Sequence, residues 1–153
     1  MIQMVKNSYI PKKIYKKLIN YAPRVCVDLV IVNGRKFLLG KREINPAKNL
    51  WFFIGGRLLK NETKEEAVIR KLKEELGIKS KPLSLKFIGV EDFFSKVGGN
   101  NRHDVNIVFL VKVKEKEFKS FDKEQHSELA WFNKIDHNWH PYIRKMLKTA
   151  GFK

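Results

Sequence analysis

Cysteine is nearly missing from this 153-residue sequence, and the single Cys26 cannot close an internal disulfide. That excludes a disulfide-stapled secreted scaffold and points to a reducing, cytoplasmic setting. Long hydrophobic runs are missing too. No apolar run exceeds five residues, as in Ile107 to Val111. A membrane helix needs roughly 20, so the sequence predicts no bilayer span. The opening MIQMVKNSYIPKK has no apolar core followed by a small-residue cleavage site, so no secretory signal is expected. Repeats, low-complexity tracts and linkers rich in Pro, Gly or Ser are also lacking. One domain over 1–153 is the simplest organisation.

Acids are scarce. Lys plus Arg number 32 against 16 Asp plus Glu, a formal charge of +16. Residues 1–24 hold six basic residues and no acid, and residues 137–153 hold four and no acid. Such a field favours anionic partners: nucleotides, nucleic acid or an anionic membrane. Yet 25 of the 32 cations are Lys, scattered singly or in pairs. Dedicated RNA binders more often cluster Arg with exposed aromatics. A solvated lysine-rich surface is therefore the favoured reading, and nucleic-acid binding is not. Phe, by contrast, is abundant, with 11 copies, enough for a sizeable core and against a disordered chain.

The pattern of apolar residues predicts the elements. KKIYKKLINY follows Pro11 and places Ile14, Leu18 and Tyr21 on one stripe, which predicts a helix over about 11–22 packed on the domain or on a second subunit. VCVDLVIV (25–32), Asn33-Gly34 and KFLLGKR read as a hairpin with an Asn-Gly turn. Asp28 intrudes in the first strand, where it needs a hydrogen-bonded role, structural or in a site. WFFI (51–54) reads as a strand running into a Gly55-Gly56 loop. Thr63 and Glu66 make a capping box and Gly77 a C-terminal cap, so 64–76 is a helix with Val68, Ile69, Leu72 and Leu76 as its buried stripe. Strands follow at 83–93 and 105–113, separated by the polar loop SKVGGNNRHD, then at 128–133, and a last helix covers 141–150. Strands around a central helix, with helices at both ends, point to a mixed α/β (α+β) domain in layers.

The stretch from Gly55 to Ile78 carries the chemistry. Glycines allow close backbone approach to a ligand. Positions 71, 74 and 75 share a helix face and read Lys71, Glu74 and Glu75. Two adjacent carboxylates suit a hard divalent cation that also binds substrate phosphates. Arg70 stands four residues from both Glu66 and Glu74 and can anchor the array. A charged face with ordinary i,i+4 ion pairs is the alternative at this point.

The run Gly56, five residues, Glu62, seven residues, Arg70, Lys71, Leu72, Lys73, Glu74, Glu75, Leu76, Gly77, Ile78 resembles the signature box of the Nudix hydrolases over residues 56–78. Each specified position agrees except the Glu after the Arg, which here is Lys71. That departure resembles the GDP-mannose glycosyl hydrolase subgroup, which keeps a single Mg²⁺ and attacks the sugar carbon. FLLGKR with NPAKNLWFFIGGR, Asp28, and the Gln-His of DKEQHSELAWF resemble the same subgroup, so the likeness spans about 25–133.

The resemblance implies a site. The Gly55 carbonyl, Glu75 and Gln125, with Glu74 beside them, hold Mg²⁺, or Mn²⁺ in its place. Arg42 and Arg57 neutralise the diphosphate. Asp28 contacts substrate, and His126, on a polar loop, is the general base. Gly56, Glu62 and Arg70 support the box, with Arg70 organising its carboxylates. Asn106 stands near where the subgroup usually has a substrate-contacting Tyr. The implied fold is a mixed β-sheet sandwiched between helices in an α/β/α arrangement, the implied substrate a nucleotide sugar and the implied assembly a homodimer. Two alternatives stay open: a pyrophosphatase attacking phosphorus, and a non-catalytic nucleotide or RNA binder.

Overall fold

The computed structural model describes residues 10–153. The first nine residues, part of the basic N-terminal excess and of the expected 1–153 domain, lie outside the described residues.

The elements run α1 (Lys12–Tyr21), β1 (Arg24–Asn33), β2 (Lys36–Arg42), β3 (Trp51–Phe52), β4 (Ile54–Arg57), α2 (Lys64–Leu76), β5 (Ser84–Val97), β6 (Asn100–Lys112), β7 (His126–Phe132) and α3 (Pro141–Thr149). The sheet path is β3-β2-β1-β6-β5, with β4 also paired to β1 and β7 to β2. Among the described residues only the β1–β6 pairing is parallel, running from Arg24 opposite Asp104 to Val32 opposite Lys112. The sheet is therefore mixed, as expected.

Strand alternation sorts β1 onto two cores. Val27, Leu29 and Ile31 face α2, packing with Val68, Leu72 and Leu76. Val30 faces α3 with Val108, Ile143 and Met146. Fully burying such side chains contributes about 1.5–3 kcal/mol each, so helices on opposite faces close an α/β/α layer structure. No helix among the described residues is long and apolar enough to cross a membrane.

Several local expectations change. The hairpin ladder closes at Asn33 opposite Lys36, so Gly34-Arg35 is the loop. Gly34 takes φ 59°, as the first position of a II′ turn requires. Asn33 instead donates from its side chain to the carbonyls of Val113 and Glu115. WFFI is split at Phe53, and Gly55 and Gly56 lie inside β4, opposite Asp28 and Val27, rather than in a loop. A Cβ on Gly55 would stand 2.3 Å from an Asp28 carboxylate oxygen, so only glycine allows this pairing. The polar loop shrinks to a turn at Gly98-Gly99, because β5 and β6 pair out to Val97 and Asn100.

α2 has the capping box: the Thr63 hydroxyl accepts from the Glu66 amide (3.2 Å) and the Glu66 carboxylate from the Thr63 amide (2.8 Å). Such a cap contributes about 1 kcal/mol. Ile69 is exposed, however, and Ala67 and Glu75 complete the buried face. On α1, Ile14, Leu18 and Tyr21 face outward rather than onto the domain. The Tyr15 hydroxyl is bonded to Arg24 (2.5 Å), which fixes the rotation of α1 and turns Tyr15 inward instead.

Candidate functional site

The site rises from strands β1 to β6 and helices α1 and α2 around a cavity of about 390 Å³. Its walls bring together Asp28, Arg42, Gly55, Gly56, Arg57, Lys71 and Gln125, residues spread across almost 100 positions of sequence. Asn106 lines it as well.

α2 forms one wall. Arg70 is its organiser. Its guanidinium donates to Glu62 (2.6 and 3.1 Å), to Glu74 (3.0 Å) and to the Arg57 carbonyl (2.9 Å), tying the loop before α2 to β4. Glu74 is half-exposed and spent on this fork. One turn on, the Lys71 ammonium is ion-paired with Glu75 Oε1 and lies 3.5 Å from Glu74 Oε2. The second Glu75 oxygen accepts from His126 Nε2 at 2.8 Å. Burial pushes the Glu75 carboxyl up, but the His126 bond and the Lys71 ammonium outweigh it and hold it below the usual carboxylate range.

His126 departs from the expected polar loop. It is 1% exposed, at the first position of β7, with Nδ1 lacking a hydrogen-bond partner. A β-bulge in the β2–β7 ladder places it opposite Arg42, and a Cβ on Gly40 would fall 2.5 Å from that nitrogen. Gly40 therefore makes room for the ring. Gln125, its neighbour, does reach the cavity.

The opposite wall is β1 and β6, with α1 above. Arg24 grips Asp104 through two bonds (2.7 and 2.9 Å) and holds the Tyr15 hydroxyl. The Arg57 guanidinium lies over the Tyr15 ring at 5.9 Å, cation–π range. Between the walls, Asp28 accepts from the Tyr142 hydroxyl of α3 at 2.6 Å. Burial pushes its carboxyl up to about 6, against the Tyr142 bond and the Arg42 charge. Arg42 is steered by a bond to the Pro46 carbonyl (2.7 Å) and lies over Phe52.

Tyr15, Arg24, Asp104 and Tyr142 escape the sequence reading. A signal existed for part of this set. Arg24, Cys26 and Asp28 alternate along β1, and Arg102, Asp104 and Asn106 along β6. Polar residues at period 2 on otherwise apolar strands mark one shared face, and parallel pairing brings the two rows side by side.

A single hard divalent cation fits the donors by kind. The Glu75 carboxylate, the Gln125 amide and the Gly55 carbonyl are all oxygen donors. Among the described residues no three His, Cys, Asp or Glu side chains converge as a metal cluster.

These features place a cation-lined cavity on a layered mixed sheet, and comparison with known proteins identifies the class of the chain. The NUDIX domain model matches residues 22–149, and the chain belongs to this family of hydrolases. It is 33% identical over 141 residues to the low-salt glycan biosynthesis protein Agl8 of Haloferax volcanii, covering 90% of this chain and 88% of that one. It is 37% identical over 113 residues to an ADP-ribose pyrophosphatase of Methanocaldococcus jannaschii, covering 74% and 64%. The crystal structure of a MutT NUDIX hydrolase from Burkholderia pseudomallei superposes with a TM-score of 0.70 at 29% identity, covering 83% and 97%.

Proposed function

We propose that this chain hydrolyses a nucleoside-diphosphate sugar, such as GDP-mannose, at the anomeric carbon and releases the nucleoside diphosphate and free sugar. The observation that carries the reading is the pairing of one buried carboxylate, Glu75, with an imidazole, His126, beside a cavity whose cations include Arg42, Arg57 and Lys71. A histidine oriented by a carboxylate is general-base architecture, and the cations suit a diphosphate leaving group.

In this mechanism Arg42 and Arg57 hold the diphosphate oxygens with their planar forks. Asp28, ionised above pH about 6, accepts hydrogen bonds from substrate hydroxyls. Gly55, Glu75 and Gln125 would hold Mg²⁺ or Mn²⁺, which would supply positive charge beside the diphosphate. His126 takes a proton from water as the water oxygen bonds to the anomeric carbon. The carbon–oxygen bond to the diphosphate breaks and its electron pair leaves with that oxygen. Nδ1, which has no hydrogen-bond partner in the unliganded site, meets the water while Nε2 keeps its bond to Glu75. General-base contacts often form only in the substrate complex.

Phosphorus attack is the second reading. It is favoured by the burial of His126 outside the cavity and by the likeness to an ADP-ribose pyrophosphatase. Product identity on GDP-mannose, GDP-glucose and ADP-ribose decides between them. Nucleoside diphosphate plus free sugar supports the proposal. Nucleoside monophosphate plus sugar phosphate supports the second reading. Nucleotide binding with no turnover of any of the three supports a non-catalytic binder.

A further inference from the structure

Lys71 stands where a carboxylate is expected in the signature, and its surroundings give it a task. Its ammonium is paired with Glu75 Oε1 and lies 3.5 Å from Glu74 Oε2. Its side chain is only 13% exposed, yet it lines the cavity beside Arg57 and Gln125. Gly56 makes the room. A Cβ there would fall 3.0 Å from Lys71 Cε and 3.1 Å from Nζ.

The consequence for Glu75 is stoichiometric. One oxygen serves His126 and the other serves Lys71. With both partners in place, each oxygen is already committed to a donor. His126 is locked among buried groups, whereas Lys71 is a flexible four-carbon stem with three donors. Lys71 is therefore the partner that can leave. Its ammonium, leaving Glu75, has a ready destination in the cavity, because a diphosphate presents several strong anionic acceptors.

We propose that Lys71 is an exchangeable counter-ion: it neutralises Glu75 in the empty site, yields Glu75 Oε1 to a divalent cation, and moves its ammonium onto the diphosphate of the substrate. The inference rests on the reading of Glu75 as the metal-holding carboxylate and of the cavity as a diphosphate site. It makes metal and nucleotide binding cooperative. Each ligand removes a cost that the other would otherwise bear, and the coupling is reciprocal. The site then assembles its charge only when both are present, which limits idle metal binding by a chain of this composition.

The test measures Mn²⁺ affinity of the full chain by electron paramagnetic resonance of free Mn²⁺, with and without GDP. Without GDP, Lys71→Gln should bind Mn²⁺ about tenfold tighter than wild type or better, since the competitor is gone. GDP should tighten Mn²⁺ binding in wild type by about tenfold and distinctly less in Lys71→Gln. Lys73→Gln, the same charge change on the exposed side of α2, should stay within about twofold, because solvent screens it. If Lys71→Gln does not fold, Lys71→Met gives the same readout with the apolar stem retained. Equal or weaker Mn²⁺ affinity in the Lys71 variant, or an unchanged GDP effect, overturns the exchange whatever the chain cleaves. A chain that shows the exchange but turns over no nucleotide sugar overturns the functional reading alone.

Discussion

The two walls of the cavity solve the same problem from opposite kinds of sequence. On the α2 wall, Arg70 grips Glu62 and Glu74, and Lys71 grips Glu75, all within 14 positions of chain. On the β1–β6 wall, Arg24 grips Asp104 across 80 positions. Both walls use a guanidinium fork as a staple. They differ at Glu74, which is 49% exposed, whereas Glu75 on the same wall is 2% exposed and Arg24 and Asp104 are 12% and 6% exposed. The outer edge of the local wall can thus be tuned at small cost, whereas its inner edge and the distant wall are part of the fold.

The largest expected effect separates chemistry from framework. His126→Gln keeps a donor for Glu75, so the fold should persist while kcat falls by roughly 10²–10⁴-fold with KM little changed. Steady-state kinetics with a melting curve checks this. A loss of melting temperature without loss of kcat would make the dyad structural and erase the contrast between the walls.

Next comes the framework. Asp104→Ala leaves Arg24 without its buried acid and should cost about 3–5 kcal/mol in urea unfolding. Glu74→Gln, on the exposed fork, should cost under about 1 kcal/mol. Similar costs at both sites would contradict the division of labour.

Asp28, between the walls, gives a pH signature. Its folded carboxyl is raised from 3.8 to about 6. Between these values the folded chain binds a proton that the unfolded chain does not, so stability from this group falls as pH rises through the window. The penalty, complete above pH about 6, amounts to about 3 kcal/mol. Asp28→Asn should match wild type near pH 4 and gain by that amount at pH 7. Unfolding free energies across pH 4–7 measure it, and parallel curves would contradict it.

The smallest effect lies at α1. Tyr15→Phe removes the hydroxyl that bonds Arg24 but keeps the ring under Arg57. KM for nucleotide sugar should rise by no more than about fivefold, the worth of one hydrogen bond. An unchanged KM in Tyr15→Ala as well would remove α1 from the site.

The contrast also explains what was legible. Spacing alone carried α2, its capping box and the Arg70–Glu74 pair, because helix geometry converts i,i+3 and i,i+4 into contacts, whereas Arg70 turns to Glu62 and the Arg57 carbonyl rather than to Glu66, which serves the cap. The layered α/β class followed from the strand and helix patterns, and the mixed sheet from the family resemblance. The β1–β6 wall needed the register of a parallel pair, which no local pattern supplies, so Arg24, Asp104 and Tyr15 stayed hidden. Tyr142 was hidden for a further reason: α3 meets Asp28 only through packing of the second core. His126 was placed on a loop because its flanks are polar, yet Gly40 opens a pocket for its ring and the Glu75 carboxylate gives it a buried partner. Gly55-Gly56 read as a loop because glycine usually breaks strands; here it admits the Asp28 carboxylate and the Lys71 ammonium.

The central claim is that this site breaks a carbon–oxygen bond, with His126 drawing the proton from water. Hydrolysis of GDP-mannose in ¹⁸O-labelled water, followed by mass spectrometry of both products, tests it most directly. The account expects the label in the free sugar and none in GDP. Label on a phosphate would contradict it and hand the site to phosphorus attack.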